Sequence, residues 1–180
     1  MKISRRRAVV NQLIQWDCAI TVLMNRSLRW RTVCPFFRAV SRLGNGGIWY
    51  ALMAILALLH GAYGVQAALH MGLTALGTLI IYKSIKGMTQ RPRPGAVQIA
   101  IRQGTAALDE YSFPSGHTMH AVTFSVIAAA WFPGLLPVLF LFTLLVALSR
   151  VVLGLHYPTD VLVGGLLGLL ISEFSLFVVG

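Results

Sequence analysis

Five long apolar stretches dominate the chain after residue 46 and restrict it to a helical membrane fold. Each approaches the roughly 20 residues that an α-helix needs to cross the hydrocarbon of a bilayer. They cover residues 47–64, 65–85, 118–133, 135–153 and 160–179. Charged residues make up only 11% of the chain, whereas a soluble domain carries about 25%. The sequence therefore predicts an all-α, polytopic membrane helix bundle with five transmembrane helices.

The first 46 residues are predicted to form a separate basic segment. Residues 8–24 are only moderately apolar, and their apolar side chains recur near helical spacing, which is typical of an amphipathic helix at the membrane interface. A sixth spanning helix is the alternative for the same residues. A glycine cluster at residues 44–47 separates this segment from the first predicted span. We therefore divide the chain into a basic N-terminal segment, 1–46, and a transmembrane core, 47–180.

The chain is strongly basic, with 15 Lys and Arg against 5 Asp and Glu and a formal net charge of +10. Because the basic residues flank apolar spans instead of lining a soluble face, anionic lipid head groups or an anionic substrate are better partners than nucleic acid. The two cysteines, Cys18 and Cys34, lack a Cys-x-x-Cys partner. Neither a disulfide framework nor a thiolate metal site is therefore expected, and no cofactor is expected.

Lys86 and Arg93 belong to the first of three polar blocks, at the end of the predicted second helix. Pro92 and Pro94 flank Arg93 and hold it on a stiff, extended segment. Arginine offers phosphate a planar fork of donors, whereas lysine offers a point charge. The block therefore suits a phosphate group. The alternative is a helix end anchored to lipid head groups.

The second block, Pro114-Ser115-Gly116-His117, lies where the predicted third helix begins. Ser115 is expected to act as the helix N-cap, with Gly116 and His117 in the first turn. Free backbone amides and the positive end of the helix make such a turn an anion site. His117 can then donate a proton to a leaving oxygen. The alternative is an ordinary capped helix with an incidental histidine.

The third block runs from Ser149-Arg150 to His156 and Asp160. The four-residue spacing lets the carboxylate of Asp160 reach one imidazole nitrogen of His156 if the stretch is helical. Such a hydrogen bond fixes the tautomer and leaves the other nitrogen free to attack. Arg150 can bind a further phosphate oxygen. The alternatives are a structural pair at the interface and Asp160 as a simple helix cap.

The order of the helices brings the three blocks together. The predicted second helix ends at the first block, and the third helix begins at the second block. The fourth helix ends at the third block, and the fifth begins at Asp160. With antiparallel neighbours, all three blocks reach the same membrane face and can form one site.

The blocks resemble the signature of the type 2 phosphatidic acid phosphatase family of membrane lipid phosphatases. That pattern is Lys-x6-Arg-Pro, then Pro-Ser-Gly-His, then Ser-Arg-x5-His-x3-Asp, and residues 86–160 contain it in full. Lys83 lies one helical turn before Lys86, but only Lys86 fits the spacing to Arg93. Arg91 is expected to support the site from behind or to contact lipid head groups.

The resemblance implies a role for each matching position. His156 would be the nucleophile that forms a phosphohistidine, Asp160 would orient it, and His117 would protonate the leaving group. The phosphoryl oxygens would be held by Lys86, Arg93, Ser115, Gly116 and Arg150. The implied chemistry is metal-independent, and the permanent cations would disfavour a divalent metal ion in the same place.

The resemblance also implies a lipid substrate and a location. Small bacterial members of the family act on undecaprenyl diphosphate, phosphatidylglycerophosphate or phosphatidate, and we favour the diphosphate. We expect a multi-pass protein of the bacterial inner (plasma) membrane with an outward, periplasmic active site. If residues 8–24 lie flat, the positive-inside rule instead places the site in the cytoplasm. A lipid phosphotransferase with the same site and a non-catalytic lipid-binding protein are the remaining alternatives.

Overall fold

The computed structural model describes residues 2–179, with side chains from residue 12 onward. Apart from its connecting segments, this part of the chain is helical and contains no β-strand. The α-helices are α1 (Lys2–Asn25), α2 (Val33–Leu43), α3 (Gly47–Thr89), α4 (Pro94–Val97), α5 (Gly116–Trp131), α6 (Leu136–Val152) and α7 (Pro158–Val179). The predicted all-α class is confirmed.

Helix α3 contains a reversal of the chain at Gly61. This residue has φ 56° and ψ −134°, a conformation that glycine adopts readily because it has no Cβ. A Cβ on Gly64 would lie 1.9 Å from the carbonyl oxygen of Leu56, so the chain beyond the turn packs directly against the chain before it. The two predicted helices at 47–64 and 65–85 are therefore the two arms of α3, joined at Gly61.

Three helical stretches are long and apolar enough to cross a membrane. They are Gly47–Val97, Pro133–Val152 and Pro158–Val179, with mean hydropathies of 1.7, 2.4 and 2.2. Five separate spans are not shown, because both arms of α3 fall within the first stretch and α5 has only 16 residues. Within the described residues, α1 is not one of the three candidates.

Helix α5 lies at the centre of the bundle, where it contacts α3, α6 and α7. The ring of Trp49, at the start of α3, stacks on Phe124 of α5 with 5.1 Å between the ring centroids. The same ring meets Phe142 of α6 edge-on at 5.5 Å. These aromatic contacts fix the start of α3 against α5 and α6.

Gly164 and Gly168 let α7 pack directly against the backbone of α5. A Cβ on Gly164 would lie 2.7 Å from the carbonyl oxygen of Ser115, and one on Gly168 would lie 2.6 Å from that of Met119. Side-chain atoms do not tolerate such distances, so these positions require glycine. The close helix packing expected of two small residues four positions apart is present.

We expect Gly164→Ala to lower the free energy of unfolding by about 1–3 kcal/mol, because the new methyl group must push α7 away from Ser115. Gly165→Ala is the matched control, since its Cβ would meet only side-chain methyl groups at 3.9 and 4.0 Å. Thermal unfolding in detergent measures both variants. Equal melting temperatures for the two would contradict the proposed overpacking.

The N-terminal segment packs against the connections between the later helices. The side-chain amide of Asn25 donates to the carbonyl oxygens of Arg102 and Val152, at 2.8 and 2.9 Å. Its Oδ1 accepts from the Arg102 N–H at 2.8 Å. The guanidinium of Arg38 donates twice to the carbonyl oxygen of Gly104, at 2.6 and 3.0 Å. The basic segment is therefore attached to the end of the bundle that carries the three blocks.

Candidate active site

The three polar blocks meet at one end of the bundle, as the helix order predicts. Lys86 lies in the last turn of α3, His117 in the first turn of α5, and Arg150 in the last turn of α6. A cavity of about 940 Å³ opens between the end of α3 and the start of α5 and is lined by Lys86, Gly116 and His117, whereas Arg150 is not part of its lining. Residues far apart in sequence therefore share one polar site.

His156 is buried in the connection between α6 and α7, with 1% of its surface exposed. Its Nδ1 lies 2.6 Å from the carbonyl oxygen of Ser112. Because a carbonyl only accepts, Nδ1 carries the proton and Nε2 keeps its lone pair. Nε2 lies 3.4 Å from Nη1 of Arg93, and the His156 backbone N–H donates to the carbonyl oxygen of Arg150 at 3.1 Å. The unprotonated nitrogen therefore faces a cation.

The surroundings of His156 keep its ring neutral. Burial holds the pKa of His156 well below its ordinary value of 6.5, and the positive charges of Arg150, Arg93 and Lys86 lower that pKa further. At neutral pH the imidazole therefore has an unprotonated Nε2. An unprotonated nitrogen is what nucleophilic attack requires.

Asp160 lies beside His156, as their spacing predicts, but its carboxylate does not form the expected hydrogen bond to the imidazole. Its Oδ2 lies 3.7 Å from Nδ1 of His156 and accepts instead from the Tyr157 backbone N–H at 2.9 Å. The spacing gives no helical contact because α7 begins only at Pro158 and His156 lies before it. The carbonyl of Ser112 orients the ring, and the carboxylate stays close enough to oppose a positive charge on it.

Arg91 connects Asp160 to the first helix. Its Nη1 donates to Oδ1 of Asp160 at 2.7 Å and to Oγ1 of Thr159 at 2.8 Å. Its Nη2 donates to Oδ2 of Asp17, in α1, at 2.7 Å. Asp17 also accepts from the Thr159 backbone N–H at 3.0 Å. Sequence reasoning gave Asp17 no role, although a lone carboxylate in an apolar helix signals a buried partner.

Asp109 forms ion pairs with both cations of the first block, Lys86 and Arg93. The sequence did not indicate this pairing. The two carboxylate oxygens of Asp109 lie 2.6 Å from Nζ of Lys86, and Oδ1 also accepts from Nη2 of Arg93. Burial favours the neutral acid, but the hydrogen bonds and positive charges of Lys86 and Arg93 outweigh it and lower the pKa of Asp109. Two of the predicted phosphate-binding cations, Lys86 and Arg93, are thus paired with a carboxylate of the protein itself.

The first turn of α5 differs from the predicted N-cap. Ser115 directly precedes α5, but its hydroxyl bonds to Oγ1 of Thr118 at 2.9 Å instead of capping a backbone amide. The Ser115 N–H donates to the carbonyl oxygen of Asp160 at 3.0 Å, so that amide is already used. Nε2 of His117 lies 2.6 Å from Oδ1 of Asn45. The second block is therefore tied both to α7 and to the turn before α3.

Arg150 is buried, with 2% of its surface exposed. Its Nη1 donates to the hydroxyl of Ser41, at the end of α2. Its Nε has no partner among the described residues. A buried guanidinium with an unused N–H beside the other cations suits an anionic ligand.

Comparison with known proteins identifies the family of the chain. A sequence model of the PAP2 superfamily matches residues 67–179. Over 128 residues the chain is 36% identical to decaprenylphosphoryl-5-phosphoribose phosphatase of Mycolicibacterium smegmatis, covering 71% of this chain and 68% of that protein.

Two solved structures share the fold. LpxE of Aquifex aeolicus superposes with a TM-score of 0.78 at 26% identity, covering 88% of this chain and 93% of that chain. The transmembrane PAP2-type phosphatidylglycerolphosphate phosphatase of Bacillus subtilis superposes with a TM-score of 0.75 at 26% identity, covering 92% and 85%. The chain therefore belongs to the PAP2 superfamily and is a lipid phosphatase of that family.

Proposed function

We propose that the protein hydrolyses a lipid phosphate through a phosphohistidine formed on Nε2 of His156. The observation that carries this proposal is a buried, neutral imidazole whose unprotonated nitrogen faces Arg93. Nε2 attacks phosphorus as the bond to the leaving oxygen breaks, and His117 gives that oxygen a proton. Water then attacks the phosphohistidine and loses a proton to His117. Inorganic phosphate is released, and His156 returns to its neutral form.

The ring of His156 becomes positively charged when Nε2 is phosphorylated, because Nδ1 keeps its proton. The carbonyl of Ser112 accepts that proton in a hydrogen bond, and the carboxylate of Asp160, 3.7 Å from Nδ1, opposes the charge. The role proposed for Asp160 is therefore electrostatic, with ring orientation supplied by a backbone group.

Three permanent cations are proposed to bind the phosphoryl oxygens. Lys86 and Arg93 would exchange Asp109 for phosphate, and Arg150 would offer its unused Nε–H. Phosphoryl transfer depends mainly on positioning and on neutralising oxygen charge. Fixed cations can supply that neutralisation, so we expect turnover without a metal ion.

We propose that the two arms of α3 and helix α5 also cross the membrane, which would give five crossing segments. The 47–180 core would carry the chemistry in the bacterial inner membrane, with the active site on the outward face. The exposed arginines of the 1–46 segment would meet anionic lipid head groups. From residue 12 onward, where side chains are described, they are Arg26, Arg29, Arg31 and Arg42.

The shape of the cavity supports a substrate with a long apolar chain. The cavity extends along α3 past Leu79 to Leu76. Ten residues of helix separate Leu76 from Lys86, a distance of about 15 Å. We propose a polyprenyl phosphate or diphosphate as the first substrate class to test, with phosphatidylglycerophosphate and phosphatidate after it.

The decisive test is phosphate release by the detergent-purified protein in EDTA, across undecaprenyl diphosphate, phosphatidylglycerophosphate and phosphatidate. We expect turnover of at least one lipid that survives EDTA and is lost in His156→Ala. Turnover that EDTA abolishes would contradict the cation mechanism. Phosphate transfer to an added lipid alcohol, without release to water, would instead identify a phosphotransferase.

Asp109→Asn is expected to strengthen inhibition by inorganic phosphate on the order of tenfold, because a charge-assisted competitor for Lys86 and Arg93 is removed. The inhibition constant for phosphate measures this effect. Glu110→Gln is the matched control, since it removes an adjacent exposed carboxylate. Equal inhibition constants in the two variants would show that Asp109 does not compete with phosphate.

A further inference from the structure

The glycine cluster at residues 44–47 forms a turn at the mouth of the cavity. Gly46 has φ 119°, which other residues rarely adopt. A Cβ on Gly44 would lie 3.1 Å from a methyl group of Val146, so the turn lies close against α6. Trp49, just after the turn, is buried against Phe124. The backbone of the turn is therefore fixed from both sides.

Asn45 is the polar side chain that this turn presents. It is exposed and lines the cavity together with Lys86 and Gly116. Its Oδ1 lies 2.6 Å from Nε2 of His117, although 72 positions separate the two residues in sequence. The residue lies outside the 67–179 region that matches the superfamily, so the family pattern assigns it nothing.

An amide is well suited to orient an acid without charging the site. Oδ1 can accept a hydrogen bond from the Nε2–H of His117 in both its neutral and its protonated form. A carboxylate in this place would repel the incoming phosphate. With Nε2–H held by Asn45, the proton that leaves the protonated ring is the one on Nδ1.

We propose that Asn45 is a positioning residue that fixes the tautomer and orientation of His117 for protonation of the leaving oxygen. The inference rests on the role proposed for His117. The negative charge of a bound phosphate offsets the neighbouring cations and favours the protonated ring of His117. As the P–O bond breaks, Nδ1 of that ring gives its proton to the leaving oxygen. The ring is left neutral, with Nε2–H still bonded to Asn45.

This role has a signature that a purely structural role lacks. A lipid phosphate expels a basic alkoxide and needs the proton, whereas nitrophenyl phosphate expels a weakly basic phenolate and does not. A positioned proton donor contributes about 10²–10⁴ in rate. Loss of Asn45 should therefore reduce kcat/KM for the alkyl ester and spare the aryl ester.

The experiment compares kcat/KM for dihexanoyl phosphatidate and for nitrophenyl phosphate in detergent. The variants are Asn45→Ala, Asn45→Leu, which keeps the side-chain volume, and His117→Ala. Gln98→Ala removes an exposed amide elsewhere and serves as the control. We expect both Asn45 variants to lower the alkyl-to-aryl ratio about 10–10²-fold, and His117→Ala to lower it more. Aryl hydrolysis also reports whether each variant is folded.

The outcomes separate this inference from the proposed function. If His117→Ala lowers the ratio and the Asn45 variants do not, Asn45 does not position the acid. If Asn45→Ala and Asn45→Leu reduce both esters equally, its role is structural and the inference fails. If His117→Ala itself leaves the ratio unchanged, the proton-donor role of His117 fails first.

Discussion

His156→Ala is expected to lower kcat by about 10⁴-fold or more, the scale of loss seen when an enzyme loses its nucleophile. The unprotonated Nε2 of His156 lies 3.4 Å from Nη1 of Arg93. The variant removes this nitrogen and leaves the cations in place. The ring is buried and hydrogen-bonds the carbonyl oxygen of Ser112, so thermal unfolding in detergent checks that the variant stays folded. Phosphate release measures the loss, and a phosphoenzyme that is labile in acid and stable in base identifies the intermediate.

His60→Ala provides the matched control for this variant. His60 is an exposed histidine next to the Gly61 turn within α3, and its ring packs against Phe132 with 4.6 Å between the ring centroids. Its replacement removes the same group far from the cations and should leave turnover unchanged. A trapped, acid-labile phosphoenzyme that persists in His156→Ala would overturn the nucleophile assignment.

Arg91→Met is expected to destabilise the protein by about 3–5 kcal/mol, because it leaves the buried carboxylates of Asp17 and Asp160 without their common cation. For a chain of this size, that loss lowers the melting temperature by roughly 10 °C. Activity should fall as well, because Asp160 would lose the contact that fixes it near His156. Thermal unfolding in detergent, followed by phosphate release at low temperature, measures both effects.

Two further variants test why Arg91 matters. Arg91→Lys keeps the charge but lacks the fork that reaches two carboxylates, so its loss of stability should fall between wild type and Arg91→Met. Arg102→Met removes an exposed guanidinium and is the matched control. If Arg91→Met and Arg102→Met have the same melting temperature, the ion pairs of Arg91 with Asp17 and Asp160 contribute nothing to stability.

The convergence of the three blocks was predictable because it follows from helix order. Lys86, His117 and Arg150 lie at helix ends, and antiparallel helices bring alternate ends to one face. The chemistry of lysine, histidine and arginine side chains is also known without a structure. The two arms of α3 were predictable because residues 47–85 are long enough for two membrane spans, although the position of the turn at Gly61 depends on one backbone conformation.

The partners of these residues were less accessible from sequence. Nothing in a side-chain pattern indicates that the backbone carbonyl of Ser112 orients His156. The pairing of Asp109 with Lys86 depends on how the connection between α4 and α5 folds back over the site. The spacing of His156 and Asp160 suggested a helical contact, but Pro158 starts α7 too late for one.

The attachment of α1 to the last connections of the chain has a consequence for biosynthesis. Asp17 bonds to Thr159 across 142 positions, and Asn25 bonds to Val152 across 127. The first helix leaves the ribosome long before these partners exist, so the contacts with Val152 and Thr159 form only when nearly the whole chain has been made. Contacts of such long sequence separation form late and slowly. The chain therefore becomes an enzyme only when its last helix reaches its first.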